Sequence, residues 1–315
     1  MAELSTINRL EVTVLVDNVI DSTTAENIDM IKSPFDWSEQ CRTSKGNLQA
    51  THGFSAIVDA YSNNRKFRTL YDTGSSSDVL QNNMKILGID PNSIEEIVIS
   101  HGHWDHFGGL LWLLGQIEND VPVYLHERML YKRGVRGRFS IREFGKMPDL
   151  SEIEEAGGQP ILESDPRLIA GGNLLISGSI SRTSKFETGF PNHVAYIDGS
   201  WVDDSQVIDD RCLIANVSNK GLVVISGCSH AGIINMLHQS MKLTGISQIY
   251  GILGGLHLIG KDSERRTHLT VQELFKISPT YIVPGHCTGW NAKLVLARDF
   301  PKSVLGLSVG NRYLF

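Results

Sequence analysis

The chain has 315 residues, of which 41% are hydrophobic and 20% are charged, as in an ordinary globular protein. Its formal net charge of −6 gives no overall attraction for a polyanion, so we expect no nucleic-acid partner. The four cysteines form no close pair, and the longest apolar run is too short to cross a bilayer. We therefore expect a cytoplasmic protein with no membrane partner, while the sequence leaves the oligomeric state open.

The first third of the chain alternates between strands and helix. β-Branched runs around a Ser62-Asn63-Asn64 turn predict a hairpin, and the serines before residue 78 together with Gly88 predict a capped helix. The polar segment at about 19–52 predicts an insertion or lid. The predicted elements are a strand over Glu11–Val16, hairpin strands over Phe54–Ala60 and Lys66–Tyr71, a helix over Asp78–Leu87 and a strand over Glu96–Ile99.

A comparable alternation recurs in the second half of the chain. The predicted strands are Leu174–Ser177, Cys212–Val217, Leu222–Ile225, Gln248–Leu253 and Tyr281–Val283, and the predicted helices are Ile233–Leu243 and Leu269–Ile277. Two rounds of hairpin, helix, strand and helix indicate a duplicated sheet-on-sheet core flanked by helices. We therefore expect an α/β (α+β) protein in which residues 1–315 form one domain, with insertions at about 19–52 and 131–160.

A cluster of histidines follows the predicted strand that ends at Ile99. His101, His103, Asp105 and His106 form a His-x-His-x-Asp-His pattern, which rarely arises by chance. On an extended chain, residues two apart project to the same side, so His101 and His103 can bind one ion. A helix that begins near Phe107 lets Asp105 and His106 face a second ion. The pattern therefore predicts a two-ion metal site.

Here the sequence resembles the metallo-β-lactamase superfamily, whose members carry His-x-His-x-Asp-His on the loop after a core strand. The resemblance extends upstream to Asp72-Thr73-Gly74 and downstream to Pro284-Gly285-His286. It implies an αββα sandwich of two mixed β-sheets flanked by helices. Stretches around Asp17, Cys228 and His257 are similar to the branch that contains 7,8-dihydropterin-6-methyl-4-(β-D-ribofuranosyl)aminobenzene 5'-phosphate synthases.

Two further histidines complete the predicted ligand set. His230 and His286 each follow a predicted strand, so both should reach the sheet edge that carries the first cluster. A structural histidine is the alternative at each position. The full assignment gives one ion His101, His103 and His230, and gives the other Asp105, His106 and His286.

The chain departs from the superfamily at Cys228. Many members have Gly-Asp at this point, and that aspartate bridges the ions, whereas this chain has Gly227-Cys228. A thiolate can bind zinc, but an isolated cysteine beside a strand is also typical of a hydrophobic core. Either Cys228 is a ligand or the bridge consists only of water or hydroxide.

The remaining histidines divide into candidates and ordinary residues. His257 follows a Gly-Gly turn and is a ligand in place of His286, a general acid or a structural residue. His52 could approach the site from the hairpin, and Asp72 is expected to orient a ligand or the loop. Surface or core roles are the expectation for His126, His193, His238 and His268.

The predicted cofactors are two divalent metal ions, with zinc expected and Mn²⁺ or Fe²⁺ as alternatives. Such a site activates water, so we expect a hydrolase acting on a small anionic or ring-containing molecule such as a phosphoester, thioester or lactone. Asp105 would orient the nucleophile, and His257 would protonate the leaving group. A pterin-pathway condensing enzyme and a weakly active regulatory or binding protein are the alternatives.

A basic segment spans residues 132–146 and carries six cationic side chains against one acid. Its arginines, together with Phe139 and Phe144, could bind an anionic ring-containing substrate from a loop above the site. A solvated basic loop with no role in binding is the alternative.

Overall fold

Two β-sheets lie face to face in the computed structural model, which describes residues 3–21 and 28–315. One hydrophobic cluster fills the space between the sheets, and it combines Val12 and Val58 of the first sheet with Leu213 and Val223 of the second. Two other clusters pack helices against the outer faces of the two sheets. This arrangement of helix, sheet, sheet and helix confirms the predicted αββα sandwich.

The first sheet, here called the N-terminal sheet, has eight strands among the described residues. Side chains alternate across it, so Ala56 and Val58 face the other sheet while Ile57 faces the helices. Arg65–Tyr71 pairs antiparallel with Ser55–Ser62 and parallel with Glu96–Val98, which makes the sheet mixed. The strand order is Gly158–Leu162, Val121–Leu125, Glu96–Val98, Arg65–Tyr71, Ser55–Ser62, Arg9–Val16, Arg312–Leu314 and Ile31–Lys32.

The second sheet, here called the C-terminal sheet, has seven strands in the described part of the chain. Gly221–Ser226 is antiparallel to Cys212–Val217 and parallel to Ile249–Gly255, so this sheet is also mixed. The strand order is Arg167–Ile169, Leu174–Ile176, Cys212–Val217, Gly221–Ser226, Ile249–Gly255 and Tyr281–Gly285, with Thr6–Ile7 paired alongside Cys212–Val217.

Helices cover the outer face of each sheet. Apolar residues recur at helical spacing, as at Leu80, Met84 and Leu87, and these side chains pack on the N-terminal sheet. The helix Ser77–Leu87 is capped by Gly88, whose φ of 68° is the left-handed conformation that glycine adopts without cost. The helices are Pro34–Trp37, Glu39–Thr43, Ser77–Leu87, Trp104–Phe107, Leu110–Leu114, Leu150–Glu155, Ile233–Thr244, Ser263–Ile277 and Trp290–Asp299.

The two predicted insertions take up regular structure. Part of the segment at 19–52 lies outside the described residues, but Ile31–Lys32 adds an edge strand to the N-terminal sheet. The basic segment is an antiparallel pair of strands rather than a loop, and it joins a small sheet of order Ser200–Asp203, His193–Ile197, Lys132–Arg136 and Ile141–Glu143. The division into one domain with insertions stays a prediction.

None of the helices in the described ranges combines the length and the apolar character that crossing a membrane requires.

Candidate metal centre

The predicted ligands come together at one edge of the sandwich, where strands of both sheets end. His101 follows Glu96–Val98, and His286 follows Tyr281–Gly285. The backbone is strained at this edge, because His257 and His286 have φ values of 42° and 43°. Non-glycine residues rarely adopt such angles, and strain of this kind concentrates at functional sites.

His101, His103 and His230 form the first group of side chains. The Nε2 atom of His101 lies 3.1 Å from Nδ1 of His103, and the ring of His230 is centred 4.7 Å from that of His103 and 4.9 Å from that of His101. All three residues are buried. Both ring nitrogens of His230 have no hydrogen-bond partner among the described residues, which is costly for a buried polar group.

Asp105, His106 and His286 form the second group. The Oδ2 atom of Asp105 lies 3.3 Å from Nε2 of His286 and 3.7 Å from Nε2 of His106. The Sγ atom of Cys228 lies 3.3 Å from Nε2 of His106. These four ligand atoms lie within 4.8 Å of one another, which is compact enough to surround one ion.

Cys228 lies at the centre of the whole arrangement. Its Sγ atom is within 4.8 Å of ligand atoms from the second group, from His101 and His230, and from His257 and Cys287. Gly227 makes this placement possible, since a Cβ atom there would clash with the side chains of Ser100 and Asp72. The sulfur therefore lies between the two groups of predicted ligands.

Burial holds several of these imidazoles in the neutral form. It lowers the pKa of His103 to about 3 and of His286 to about 4, and it lowers the pKa values of His101 and His230 well below their usual range. Burial alone would raise the pKa of Asp105, but the charge of His106 and hydrogen bonds from His286 and His52 lower it strongly. Neutral imidazoles and an ionised carboxylate are the forms that bind divalent metals.

Asp72 contacts His106 of the second group on the side of the ring that faces away from the Cys228 sulfur. Its Oδ2 atom lies 2.7 Å from Nδ1 of His106 and accepts a hydrogen bond from the Ser100 hydroxyl at 2.7 Å, while Oδ1 accepts the Ser100 backbone N–H at 2.6 Å. The contact leaves Nε2 of His106 facing the Cys228 sulfur. The expectation that Asp72 orients a ligand or the loop agrees with this geometry.

His257 and His52 both lie beside the cluster. The ring of His257 is centred 4.1 Å from that of His230, and its Nδ1 atom has no hydrogen-bond partner in the described structure. Nε2 of His52 lies 3.2 Å from Oδ2 of Asp105. The geometry therefore leaves His257 available either as a ligand or as a proton donor, and it brings His52 into the site.

A cavity of about 520 Å³ opens onto the cluster. Beyond the predicted ligands, its walls include Trp104, Phe144, Arg142 and His193. No sequence motif marks His193, for which the expectation is a surface or core role. Its ring is centred 5.6 Å from both His103 and His230, which places it at the site.

Most arginines of the basic segment do not line the cavity, as binding of an anionic substrate would require. Arg133 is buried, and its guanidinium pairs with the carboxylates of Asp204 and Asp209. Arg136 and Arg138 are exposed, and Arg142 lines the cavity. The segment thus contributes one cation to the cavity wall and one to the interior.

Comparison with known proteins shows which family this chain resembles. Residues 51–207 match the family described as the metallo-beta-lactamase superfamily. A protein of Methanocaldococcus jannaschii named 7,8-dihydropterin-6-methyl-4-(beta-D-ribofuranosyl)-aminobenzene-5'-phosphate synthase is 33% identical over 300 residues, which cover 94% of this chain and 96% of that protein. A second, uncharacterized protein of that organism is 34% identical over 83% of this chain and 94% of its own length.

A solved structure described as a metal-dependent hydrolase of the beta-lactamase superfamily superposes with a TM-score of 0.73. It is 26% identical to this chain, and the match covers 96% of this chain and 98% of that one. Together with the sandwich and the clustered motif residues, these matches show that the chain belongs to the metallo-β-lactamase superfamily.

Proposed function

We propose that the protein is a hydrolase that uses two divalent metal ions, with zinc as the expected metal. The observation that carries this proposal is the meeting of both histidine groups around Cys228, in a buried site where the two ring nitrogens of His230 have no hydrogen-bond partner among the described residues. Five imidazoles and one carboxylate, with the Cys228 sulfur close to both groups, form a donor set typical of zinc. The solved metal-dependent hydrolase with a TM-score of 0.73 supports this class of reaction.

The predicted ligands would form two metal-binding groups. His101, His103 and His230 would hold one ion, and Asp105, His106 and His286 would hold the other. Metal ions bound there would supply a hydroxide at neutral pH and would stabilise negative charge on the reacting group.

Asp105 and His257 would act directly on the reactants. The ionised carboxylate of Asp105 can accept a hydrogen bond from the nucleophile and so fix its direction of attack. His257 lines the same cavity, and because burial and the charge of Arg266 lower the pKa of its imidazole well below the usual range, it would accept a proton during the reaction before passing it to the leaving group. Arg142 and the Phe144 ring in the cavity wall favour a small substrate that combines an anionic group with a ring or other apolar part.

A pterin-pathway condensing enzyme is the second candidate. The relative that is 33% identical over 94% of this chain carries the name of such a synthase. Its activity would use the same cluster to bind a phosphate-bearing substrate. An assay for the condensed product, with the pterin and the ribofuranosyl-aminobenzene phosphate as precursors, separates this candidate from hydrolysis.

The test combines metal analysis with a substrate panel. Purified protein is analysed for metal and is assayed on phosphomonoesters, phosphodiesters, thioesters and lactones, and also with the synthase precursors. We expect chelation and His103→Ala to abolish hydrolysis while the fold is retained, and His268→Ala, at an exposed position, to leave it unchanged. A metal-free protein with full activity would refute the proposal. Protein that binds metal but turns over none of these compounds would favour a regulatory or binding role.

A further inference from the structure

A second cavity, of about 860 Å³, adjoins the one above the metal cluster. The two share His193, His257, Val135 and Ile259 in their walls. The second cavity leads away from the cluster between the segment before His193 and the start of the helix Ser263–Ile277. A substrate bound at the cluster can therefore extend into it.

The walls of this outer cavity are rich in positive charge. Four cationic side chains and one acidic side chain line it, although the whole chain carries a net charge of −6. The cations are Lys185, Lys261, Arg265 and Arg266, and the acid is Asp262. Asp262 already pairs with Arg265 at 3.4 Å. The cavity thus offers a local attraction for anions that the net charge conceals.

Arg266 differs from the other three cations because the structure holds it in place. Its guanidinium lies over the ring of Phe190, 4.6 Å from the centroid, and that ring packs 4.2 Å from the ring of His257. Lys185, Lys261 and Arg265 are exposed, whereas Arg266 is half-buried. The guanidinium thus lies over the Phe190 ring, which in turn packs edge-on against the His257 ring, and these contacts fix one cation beside the site.

The guanidinium of Arg266 also has donors to spare. It donates from Nη2 to the carbonyl of Ile259, but its buried Nε–H has no hydrogen-bond partner among the described residues. The other nearby carboxylate belongs to Glu187, which accepts the backbone N–H groups of Ile234 and Asn235. A fixed guanidinium with free N–H groups matches the two oxygens of a phosphate or carboxylate.

We propose that Arg266, held on Phe190, binds an anionic group of the substrate, a phosphate or a carboxylate, while the reacting bond lies on the histidine cluster. This inference rests on the proposed function for the position of the reacting bond. Arg266 is then a specificity residue, because it selects molecules whose anionic group stands apart from the bond that is cleaved or formed. Phe190 both positions Arg266 and offers a ring face to the substrate.

Calorimetric titration of the purified protein with small probes tests this proposal without requiring turnover. The probes are phenyl phosphate, benzoate and the neutral benzyl alcohol, and the metal content of each preparation is measured. We expect Arg266→Gln to weaken binding of at least one of the two anions by about tenfold or more, as loss of a charge-assisted hydrogen bond does, and to leave benzyl alcohol unchanged. The anion that responds identifies the preferred group.

Arg265→Gln is the matched control, because it removes an equal charge from the neighbouring position of the same cavity. We expect it to weaken anion binding less than about threefold, since the exposed side chain makes only a screened contribution. Arg266→Lys keeps the charge but loses the planar pair of donors, so its affinity should lie between those of the wild type and Arg266→Gln. This second variant also serves if Arg266→Gln does not fold.

Several outcomes would overturn the proposal. Equal losses in Arg265→Gln and Arg266→Gln would show that diffuse charge alone attracts the anion. Unchanged binding in Arg266→Gln, or no binding of either anion to the wild type, would show that Arg266 holds no anionic group. Anion binding that depends on Arg266 in a protein without hydrolytic activity would refute the proposed hydrolysis and not this site.

Discussion

The guanidinium of Arg133 makes two hydrogen bonds to the carboxylate of Asp209, 2.7 Å from Nη1 to Oδ2 and 2.6 Å from Nη2 to Oδ1. Oδ2 of Asp209 also accepts the backbone N–H of Gly102 at 2.8 Å. Gly102 lies between His101 and His103, so this buried ion pair ties the small sheet to the loop that carries the first predicted ligands. The most basic part of the chain therefore supports the cluster through one interior arginine.

We expect Arg133→Met to destabilise the protein by about 3–5 kcal/mol, because it leaves the carboxylates of Asp209 and Asp204 buried without their cation. Denaturant unfolding measures the change. Arg136→Met is the control, since Arg136 belongs to the same strand but is exposed, and its effect should stay within about 0.5 kcal/mol. Equal stability of the two variants would contradict a structural role for the Arg133–Asp209 pair.

Asp72→Asn should reduce zinc affinity by about 10-fold to 100-fold, because carboxylates that orient a metal-binding histidine contribute to this extent. An amide in place of the carboxylate would present a donor to the Ser100 hydroxyl or to Nδ1 of His106, both of which contact Oδ2 in the wild type. Competition with a chromophoric chelator measures the affinity. Asp78→Asn, on an exposed helical turn, should leave it unchanged. Equally tight zinc binding in Asp72→Asn and the wild type would show that Asp72 does not orient a metal ligand.

Cobalt substitution tests whether the Cys228 sulfur binds metal. A thiolate ligand gives Co²⁺ a sulfur-to-metal charge-transfer absorption in the near ultraviolet, and the Sγ atom of Cys228 is close to all three groups of possible ligands. We expect the band in the wild type and in Cys41→Ala, which alters a cysteine outside the cluster, and its loss in Cys228→Ala. Loss of the band in Cys287→Ala alone would assign the sulfur ligand to Cys287. Bound cobalt without any such band would show that the metal site contains no sulfur.

The sequence predicted those parts of the site whose residues follow regular strands. His101, His230 and His286 each come just after a strand, and in a layered α/β fold the loops that follow such strands meet at one edge. The hairpin at Asn63-Asn64 and the helix before Gly88 were predictable because turn and capping residues act locally. Five of the seven strands of the C-terminal sheet lie close to their predicted bounds, whereas the short strands Thr6–Ile7 and Arg167–Ile169 carry too little pattern to be predicted.

Other parts of the site depend on contacts between distant segments, which no local pattern reveals. Arg133 meets Asp209 from 76 positions away, so the sequence showed a basic segment but not the carboxylate that neutralises it. His193 reaches the cavity because its strand pairs with Lys132–Arg136. Phe190 and Arg266 are brought together only by tertiary packing. None of these residues belongs to a recognisable motif. The positions of Arg133 and His193 depend on how the strands of the small sheet pair.

We expect the free energy of unfolding to decrease as the pH rises, because the carboxyl group of Glu187 is buried. Burial raises the pKa of Glu187 to about 7 from a usual value of 4.5, although hydrogen bonds from the N–H groups of Ile234 and Asn235 favour the charged form. Between these two pH values the folded state holds a proton that the unfolded state has released, so rising pH favours unfolding. The shift corresponds to about 3 kcal/mol between about pH 4.5 and pH 7, and no further loss follows above that range.

Glu187→Gln cannot ionise and should lack this dependence. Denaturant unfolding of both proteins at about pH 5 and pH 8 gives the free energy of unfolding, and the measured quantity is the change with pH rather than the absolute value, since the amide also alters the two backbone hydrogen bonds. We expect the wild type to lose about 3 kcal/mol relative to Glu187→Gln over this interval, because the other titrating groups contribute equally to both. Glu264→Gln, at an exposed position, should keep the wild-type dependence. Parallel pH profiles for wild type and Glu187→Gln would mean that Glu187 is ionised throughout, with the helix N-terminus outweighing burial.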